Sequence, residues 1–415
     1  MFIKITEIDA VIIYTRGITE SDFNIIKNNL VGHKKLAFIV KYNDPVPTFI
    51  SNQLLIEESL SDSVFGTTIQ NVVNSMQVPS KKIVFVSKDQ DIIKSILPHP
   101  VGTILINDRN ITYQDIGFFP DQKITRIEEL PSALNTNYGY FSEIRSTLVG
   151  KNRNPIGSKG IFFTFKMERE DTSVDIYALG RYYGSQHHLF HVHQLSKRIN
   201  KSKKDDSQNI LFSNIFEPII NKIDLEFHKV DGITRVPSRP SKKDRLLPII
   251  NRLSERLNIP NFSEVISCPV EYPSHKVLGK EERFDNVKGK FKVSRLPLIE
   301  NKHIVLIDDV FTTGATVYEC AKELYQNGVG RVTVVVLAVN QYQNDTFSHR
   351  RLLCPQCEEE MTLWINKSKN SAFFGHIDFK NNSCKNTEFY LNGKQLYNET
   401  NSINPIGQDE EEVLF

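Results

Sequence analysis

The sequence predicts an α/β protein with parallel sheets flanked by helices, and three observations support this fold class. Short continuous apolar runs, such as residues 304–307 and 332–339, are typical of strands that are covered on both faces. Segments of helical length separate such runs, which is the pattern of repeated βαβ units. The chain has 415 residues, which is too long for one typical core, so two or three domains are expected.

A first α/β unit is expected over residues 1–130. Its predicted strands are the apolar runs 11–13, 36–40, 83–86 and 103–106. Residues 85–91 and 101–106 resemble the fourth motif and the closing strand of haloacid-dehalogenase-like (HAD-like) domains. Where that family has two catalytic aspartates, this chain has Tyr14 and Arg16, and neither side chain can form an aspartyl intermediate. A catalytically inactive HAD-like domain is therefore expected, with an unrelated Rossmann-like module as the alternative.

The rest of the chain is divided by composition. Residues 131–174 contain many Asn, Ser, Gly and Pro residues, which favour turns, and are expected to form a connecting segment. A second, larger domain is expected over residues 175–345. Residues 393–415 end in an acidic run and are expected to be a disordered tail.

Residues 303–316 combine a buried strand, two acids and a hydroxyl-rich glycine loop. Asp308 and Asp309 follow the apolar run and would lie at the carboxyl end of the strand, where open α/β sheets bind ligands. The next loop offers backbone N–H groups, three hydroxyls and Gly314, and it opens a predicted helix whose N-terminus favours phosphate. Two adjacent carboxylates repel each other. Burying both is unfavourable unless donors such as ribose hydroxyls bind to them. The segment is predicted to bind a ribose and a phosphate together; two solvated acids are the alternative.

This segment resembles the binding motif for phosphoribosyl pyrophosphate (PRPP) of type I phosphoribosyltransferases. Residues 279–291 look like the Arg/Asn-Val-Lys-Gly-x-Phe signature of the ComF-like branch, and residues 230–240 are similar to its pyrophosphate loop. The chain departs from this branch at residues 243–247, which stand where an Arg-Gly-Phe-Asn-Gln-like stretch is usual. The resemblance implies a type I phosphoribosyltransferase fold for the second domain.

The resemblance also implies a reaction and a set of site residues. A nitrogen nucleophile, which the sequence does not identify, would displace pyrophosphate from PRPP, with Mg2+ bound through PRPP oxygens. The implied catalytic residues are Asp308 and Asp309, which would hold the ribose hydroxyls, and Arg283 and Lys288 near pyrophosphate. The implied 5′-phosphate cradle is Thr312, Thr313, Gly314, Ala315 and Thr316. The alternative function is a non-catalytic protein that senses PRPP or a nucleotide.

Three of the five cysteines lie near the C-terminus. Cys354 and Cys357 have the Cys-x-x-Cys spacing of a zinc knuckle, and His376 and Cys384 would complete a tetrahedral structural Zn2+ site. The pattern resembles the zinc ribbons of bacterial type IA topoisomerases, in which a Cys usually holds the position of His376. A ribbon is expected over residues 350–392, with reduced, unliganded cysteines as the alternative. Such ribbons often contact single-stranded DNA, although aromatic residues of so small a module more often fill its core.

Charge and hydropathy exclude some functions. The chain has 51 basic and 49 acidic residues, so its net charge of +2 is low for a strongly electrostatic nucleic-acid binder. No apolar stretch approaches the roughly 20 residues that span a bilayer. The first residues do not resemble a signal peptide. A cytoplasmic protein without a membrane partner is expected.

Overall fold

The computed structural model describes residues 8–40, 48–52, 54–57, 72, 75–78, 82–97, 101–109, 116–136, 139–147, 162–185, 187, 190, 193–273, 278–294, 298–341, 357, 361–366, 371–376 and 384. Two large sheets and two small antiparallel strand pairs organise these residues. None of the helices in these ranges is both long enough and apolar enough to cross a membrane.

The first sheet contains six parallel strands. They are β1 (Ala10–Tyr14), β2 (Lys35–Val40), β3 (Leu54–Glu57), β4 (Ile83–Ser87), β5 (Gly102–Ile106) and β6 (Gln122–Ile124). Their order in the sheet is β3-β2-β1-β4-β5-β6. The direction of winding changes between β1 and β4, as in doubly wound α/β sheets. The four strands predicted in this region are confirmed, and β3 and β6 extend the sheet at its edges.

Helices cover both faces of this sheet. They are α1 (Glu20–Leu30), α2 (Gln90–Ile96) and α3 (Leu130–Thr136), with 3-10 turns at Thr48–Asn52 and Ile127–Glu129. The next helix, α4 (Phe141–Thr147), and the 3-10 turn Ile116–Phe118 pack against the second sheet, where Phe141 and Ile116 belong to its apolar clusters. A capping box begins α1, in which Asp22 N donates to Thr19 Oγ1 at 3.2 Å and Thr19 N donates to Asp22 Oδ2 at 2.7 Å. Alternate residues of β1 belong to two separate apolar clusters, so this strand is buried on both faces.

At the carboxyl end of β1, Tyr14 and Arg16 occupy the two positions that carry the catalytic aspartates in HAD-like domains. Neither position carries a carboxylate in this chain. Tyr14 is fully buried. Arg16 Nη1 lies 3.2 Å from Asp89 Oδ2, the carboxylate that also caps α2. The doubly wound order is compatible with both a HAD-like domain and a Rossmann-like module, so the inactive HAD-like domain stays a prediction.

The second sheet is mainly parallel. Its strands are β7 (Phe163–Arg169), β8 (Thr172–Ala178), β9 (Arg181–Tyr183), β10 (Gly232–Arg235), β13 (His303–Phe311) and β14 (Arg331–Gln341). The order is β10-β13-β14-β8-β7, and β9 also pairs with β14. The pair of β7 with β8 is antiparallel. Both β7 and the start of β8 fall within the stretch expected to be a connecting segment, and here they form one edge of the sheet.

Five further helices accompany the second sheet. They are α5 (Gln194–Ser202), α6 (Asn209–Lys222), α7 (Leu247–Leu257), α8 (Lys280–Val287) and α9 (Ala315–Gln326), with a π-helical turn at Ile223–Phe227. The remaining strands form two antiparallel pairs, β11 (Ile266–Ser267) with β12 (Lys292–Val293), and β15 (Met361–Asn366) with β16 (Ser371–His376). The helix predicted after the glycine loop is confirmed as α9.

Strand β13 is buried on both faces, as its continuous apolar run predicts. Ile304 and Leu306 pack into one apolar cluster, and Val305 and Ile307 pack into the other. The strand is longer than this run because its register with β14 continues to Phe311. The two acids therefore lie within the last part of the strand and not after it.

A fully buried arginine joins the two sheets. Arg181 in β9 donates through Nη2 to Asp121 Oδ1 at 2.5 Å and through Nε to Glu143 Oε1 at 2.9 Å. Asp121 directly precedes β6, and its Oδ2 accepts from N and Oγ1 of Thr103 in β5 at 2.9 and 3.0 Å. Burial by itself would raise the pKa of Asp121, but the charge of Arg181 lowers that pKa to about 2. This buried charge cluster attaches the edge of the first sheet to the second.

The variant Arg181→Met is expected to lower the free energy of unfolding by about 3–5 kcal/mol, because two buried carboxylates lose their counter-charge. Arg331→Met is the matched control, since it removes a pair whose side chains are 39% and 34% exposed and in which Nη2 lies 2.7 Å from Asp175 Oδ2. The control should lose about 1 kcal/mol or less. Urea denaturation at pH 7 measures both, and equal losses would contradict the assignment.

The same cluster predicts an acid-labile contribution to stability. The folded pKa of Asp121 is about 2, below its ordinary value of 3.8, so the stabilisation is complete above pH 3.8 and is lost as the pH falls toward 2. Unfolding measured between pH 5 and 2 should show this loss in the wild type. The dependence should be weaker in Arg181→Met.

Candidate functional site

Asp308 and Asp309 lie near the carboxyl end of β13, between β10 and β14. Each carboxylate accepts one backbone N–H at 2.8 Å: Asp308 Oδ1 from Asp309 N, and Asp309 Oδ1 from Val310 N. Successive strand residues point to opposite faces. Asp308 therefore shares the face of Leu306, which is covered by α9, and Asp309 shares the face of Ile307, which is covered by α7.

Arg245 is the partner of Asp309. Its Nη2 lies 2.9 Å from Asp309 Oδ2, and the two side chains are 33% and 17% exposed. Arg245 lies in the stretch that departs from the ComF-like pattern, and the sequence predicted no role for it. The sequence contained one indication of this contact, a basic residue shortly after the neighbouring strand β10. The carboxyl ends of parallel strands meet at one edge of the sheet, so such a residue can reach the acids of β13.

The loop after β10 holds Arg245 in this position. Arg235 at the end of β10 contacts Asp244 Oδ2 through Nε at 2.9 Å and through Nη2 at 2.7 Å. Asp244 Oδ1 accepts from the backbone N of Leu246 and Leu247 at 3.2 and 3.1 Å, at the start of α7. Asp244 is thus attached to both β10 and α7, and the next residue reaches across to β13.

Burial and mutual repulsion both disfavour the charged forms of Asp308 and Asp309. Burial raises the pKa of the Asp308 carboxyl well above its usual range, and the negative charge of Asp309 raises it further, while Arg245 acts in the opposite direction. Cys320 of α9 lies on the same side, and its thiol pKa is raised first by burial and then by Asp308. A ligand that donates hydrogen bonds to these carboxylates would favour their charged forms.

The glycine loop directly follows the acids. Gly314 has φ +80°, which favours glycine, and forms the N-cap of the 12-residue helix α9. A Cβ at this position would lie 2.5 Å from Phe311 Cζ and 2.7 Å from Met167 Sδ. The sequence predicted Gly314 only as part of a loop that favours phosphate. The contacts with Phe311 and Met167 are a second reason that the sequence did not indicate.

The rest of the predicted cradle surrounds this glycine. Thr313 and Ala315 are buried, whereas Thr312 and Thr316 are partly exposed. Ala315 and Thr316 form the first turn of α9, so their backbone N–H groups belong to the open N-terminus of the helix. The structure thus places all five predicted loop residues, 312–316, at the helix N-terminus beside the acids.

Arg283 and Lys288 belong to α8 and its C-terminal end. Phe284 of α8 makes an edge contact with Tyr318 of α9 at 5.8 Å between ring centroids, so α8 packs beside the first turns of α9. Arg283 Nε donates to the carbonyl of Leu278 at 3.0 Å, and Lys288 is exposed. Among the described contacts, neither basic side chain pairs with Asp308 or Asp309. The structure brings these residues to the neighbouring helix but not to the acids.

A separate cluster can hold a metal ion. The ligand atoms of Cys357, His376 and Cys384 all lie within 4.8 Å of one another. Cys357 Sγ is 3.6 Å from His376 Nε2, and His376 ends β16. Cys354, the fourth predicted ligand, lies outside the described residues. Two thiols and an imidazole at this spacing suit Zn2+, which prefers such sulfur and nitrogen ligands.

Comparisons with known proteins give partial similarities. No protein-family model matches the chain. The DNA utilization protein YhgH of Escherichia coli O157:H7 is 37% identical over 82 residues, which are 20% of this chain and 35% of that protein. YhgH of Escherichia coli K12 is 35% identical over the same length and with the same coverage. The chain therefore matches about a third of the length of these curated relatives.

Some solved structures of phosphoribosyltransferases are also similar in part. An adenine phosphoribosyltransferase has a TM-score of 0.24 and 13% identity, covering 35% of this chain and 76% of that one. The adenine phosphoribosyltransferase of Thermoanaerobacter pseudethanolicus has a TM-score of 0.19 and 18% identity, covering 32% of this chain and 84% of that one.

The predicted phosphate loop implies that Gly314→Ala abolishes binding of ribose 5-phosphate and destabilises the fold, because the new Cβ meets Phe311 and Met167 in a strained backbone conformation. Gly328→Ala is the matched control. Gly328 has a similar φ of +87°, but its Cβ would meet only Glu300 Cγ at 3.8 Å. The control should be destabilised by roughly 1 kcal/mol of strain and should bind normally in calorimetry. If both variants bind ribose 5-phosphate equally well, Gly314 is not required for phosphate binding.

One zinc ion per chain is expected, and Cys357→Ser should lose it because one thiolate of the shell is missing. Cys268→Ala is the control, since Cys268 is a buried core residue of the second domain. Elemental analysis of protein purified without chelator measures both. Zinc-free wild-type protein, or full retention of zinc in Cys357→Ser, would rule the site out.

Proposed function

We propose that the chain binds PRPP and transfers its phosphoribosyl group to a nitrogen nucleophile. The observation that carries the proposal is a pair of acids on a buried strand, followed five residues after Asp309 by a left-handed glycine that opens a helix. Asp308 and Asp309 would accept hydrogen bonds from the ribose hydroxyls. Residues 312–316 would surround the 5′-phosphate with backbone N–H groups and hydroxyls.

The reaction would exchange one bond at the anomeric carbon. The acceptor nitrogen supplies an electron pair to that carbon while the bond to the pyrophosphate oxygen breaks. Pyrophosphate leaves with the bonding electrons, and the nitrogen releases its proton. The protein would contribute mainly by holding the sugar phosphate in place and by stabilising the charge that develops on the leaving group.

Two further groups are proposed for the leaving-group side. Arg283 and Lys288 lie on or just after α8, which packs beside the start of α9, and their positive charges suit pyrophosphate. Mg2+ would neutralise pyrophosphate, held by PRPP oxygens.

A non-catalytic sensor of PRPP or a nucleotide is the second candidate. It is favoured by one observation, that Arg283 and Lys288 make no contact with the acid pair among the described residues. The partial similarity to a DNA utilization protein and the Cys–His cluster support a DNA-related process, with single-stranded DNA as the proposed partner of the ribbon. Release of pyrophosphate from PRPP with a panel of nitrogenous bases separates an enzyme from a sensor.

Replacing the acids should weaken PRPP binding while the shape of the site is kept. Asp308→Asn and Asp309→Asn each remove a charged acceptor worth roughly 1.5–3 kcal/mol, so the Kd should rise about tenfold or more for each change. Asp175→Asn, on a side chain of β8 that is 34% exposed, is the control. Calorimetry with Mg2+ measures all three.

The affinity for PRPP in these titrations is also expected to depend on pH. Because the pKa of Asp308 is raised, its charged form increases only as the pH rises through that elevated value, and PRPP affinity should increase with it. Wild-type protein that binds neither PRPP nor any 5′-phosphorylated nucleotide would refute the proposed function.

A further inference from the structure

We infer that a second anion site lies between α4 and α5, where Arg198 and Ser146 bind the phosphate group of a small molecule. Neither residue takes part in the proposed phosphoribosyl transfer, so the inference goes beyond that function. It rests on a buried cation that has no acidic partner among the described residues.

Arg198 of α5 is a buried arginine with neutral partners. It is 4% exposed, and burial lowers its pKa to about 10, so it is charged at pH 7. Its Nε donates to the carbonyl of Ser146 at 2.9 Å, and its Nη1 donates to Gln208 Oε1 at 2.9 Å. Nη2 is buried and has no hydrogen-bond partner in the described part of the chain. The guanidinium thus keeps an unused donor and an uncompensated charge.

The other fully buried arginine of the second sheet has a different environment. Arg181 is 1% exposed and donates to the carboxylates of both Asp121 and Glu143. None of the ion pairs between described residues includes Arg198. Because a buried charge without a counter-charge is strongly unfavourable, an anion at Arg198 would supply what two carboxylates supply at Arg181.

Ser146 of α4 provides a second donor beside the first. It is fully buried, and its Oγ has no hydrogen-bond partner among the described residues. Its carbonyl already accepts from Arg198, so its hydroxyl lies close to the guanidinium. The preceding residue, Arg145, also has a buried Nε without a described partner, and its guanidinium lies 5.3 Å from the centroid of the Phe141 ring. Buried polar groups without partners are rare and indicate a bound ion or water.

The sequence around the two helices favours an anion over water. Residues 144–161 and 185–204 contain nine basic residues and no acid. The nine are Arg145, Lys151, Arg153, Lys159, Lys197, Arg198, Lys201, Lys203 and Lys204. Such a concentration of positive charge attracts anions, and arginine forms strong charge-assisted hydrogen bonds with phosphate oxygens. The burial of Arg198 favours a small phosphate over a nucleic-acid backbone, which reaches exposed donors first.

Calorimetric titration with inorganic phosphate at constant ionic strength tests the site. Arg198→Met should weaken phosphate binding about tenfold or more, because a charged donor is lost. Ser146→Ala should weaken it about threefold or more, since it removes a neutral hydroxyl and keeps the carbonyl that accepts from Arg198. Arg256→Met is the control. It removes a 41% exposed arginine whose Nη2 lies 2.7 Å from Glu217 Oε2, and it should bind phosphate as the wild type does.

Thermal unfolding separates an anion site from an arginine with a purely structural role. Phosphate should raise the Tm of the wild type relative to chloride, and this rise should be absent in Arg198→Met. A purely structural arginine would give the same rise in both proteins. Unchanged phosphate affinity in either site variant, or a wild type that binds no phosphate, would overturn the inference. If Arg198→Met fails to fold, Ser146→Ala decides.

The outcomes also distinguish this site from the proposed function. Phosphate bound at residues 312–316 would form a second class of sites, lost in Gly314→Ala and kept in Arg198→Met. PRPP should bind Arg198→Met with its wild-type affinity. If the wild type binds phosphate through Arg198 but does not bind PRPP, only the proposed function is wrong. Loss of single-stranded oligonucleotide binding in Arg198→Met, with phosphate binding unchanged, would identify a nucleic-acid contact and overturn the small-molecule assignment.

Discussion

Burial of β13 on both faces is the constraint from which most of the candidate site follows. The strand alternates between two apolar clusters until Ile307, and the same alternation then sends two adjacent carboxylates to opposite faces. Asp308 meets the side of α9, where burial raises its pKa. Asp309 meets the side of α7, where Arg245 pairs with it. Two residues of one type thus acquire different environments from strand geometry alone.

Arg181 and Arg245 differ in burial, and this difference suits them to different roles. Arg181 is fully buried and donates to Asp121 and Glu143 at once, so its movement would leave carboxylates unpaired inside the protein. Arg245 has one carboxylate partner and remains a third exposed. The first arrangement fixes two sheets against each other. The second is only partly shielded from water, so less of the folding free energy depends on it.

The sequence predicted the features that depend on local patterns. Apolar runs identified β1, β2, β4, β5, β13 and β14, and the 3.6-residue period identified α9. It did not predict the contact of Arg245 with Asp309, or that of Arg181 with Asp121, because the partners are about 60 residues apart in each pair and neither pair leaves a periodic signal. The sequence also did not predict short edge strands such as β6, because a three-residue strand carries little periodic signal. The acids and the glycine loop were predictable because they are contiguous.

The shape of the glycine loop depends on a strand from outside the predicted second domain. Met167 of β7 fills the space beside Gly314, and Phe165 of the same strand packs edge-on against Phe311 at 5.2 Å between ring centroids. Phe163, also in β7, stacks at 4.1 Å on Phe119, which precedes β6 of the first sheet. A fragment that begins at residue 175 would lack all three β7 side chains, so Phe311 would lose its contact with Phe165 and Gly314 would lose its neighbour Met167. The unit that can form this loop must therefore include β7, and through Phe119 its packing continues into the first sheet.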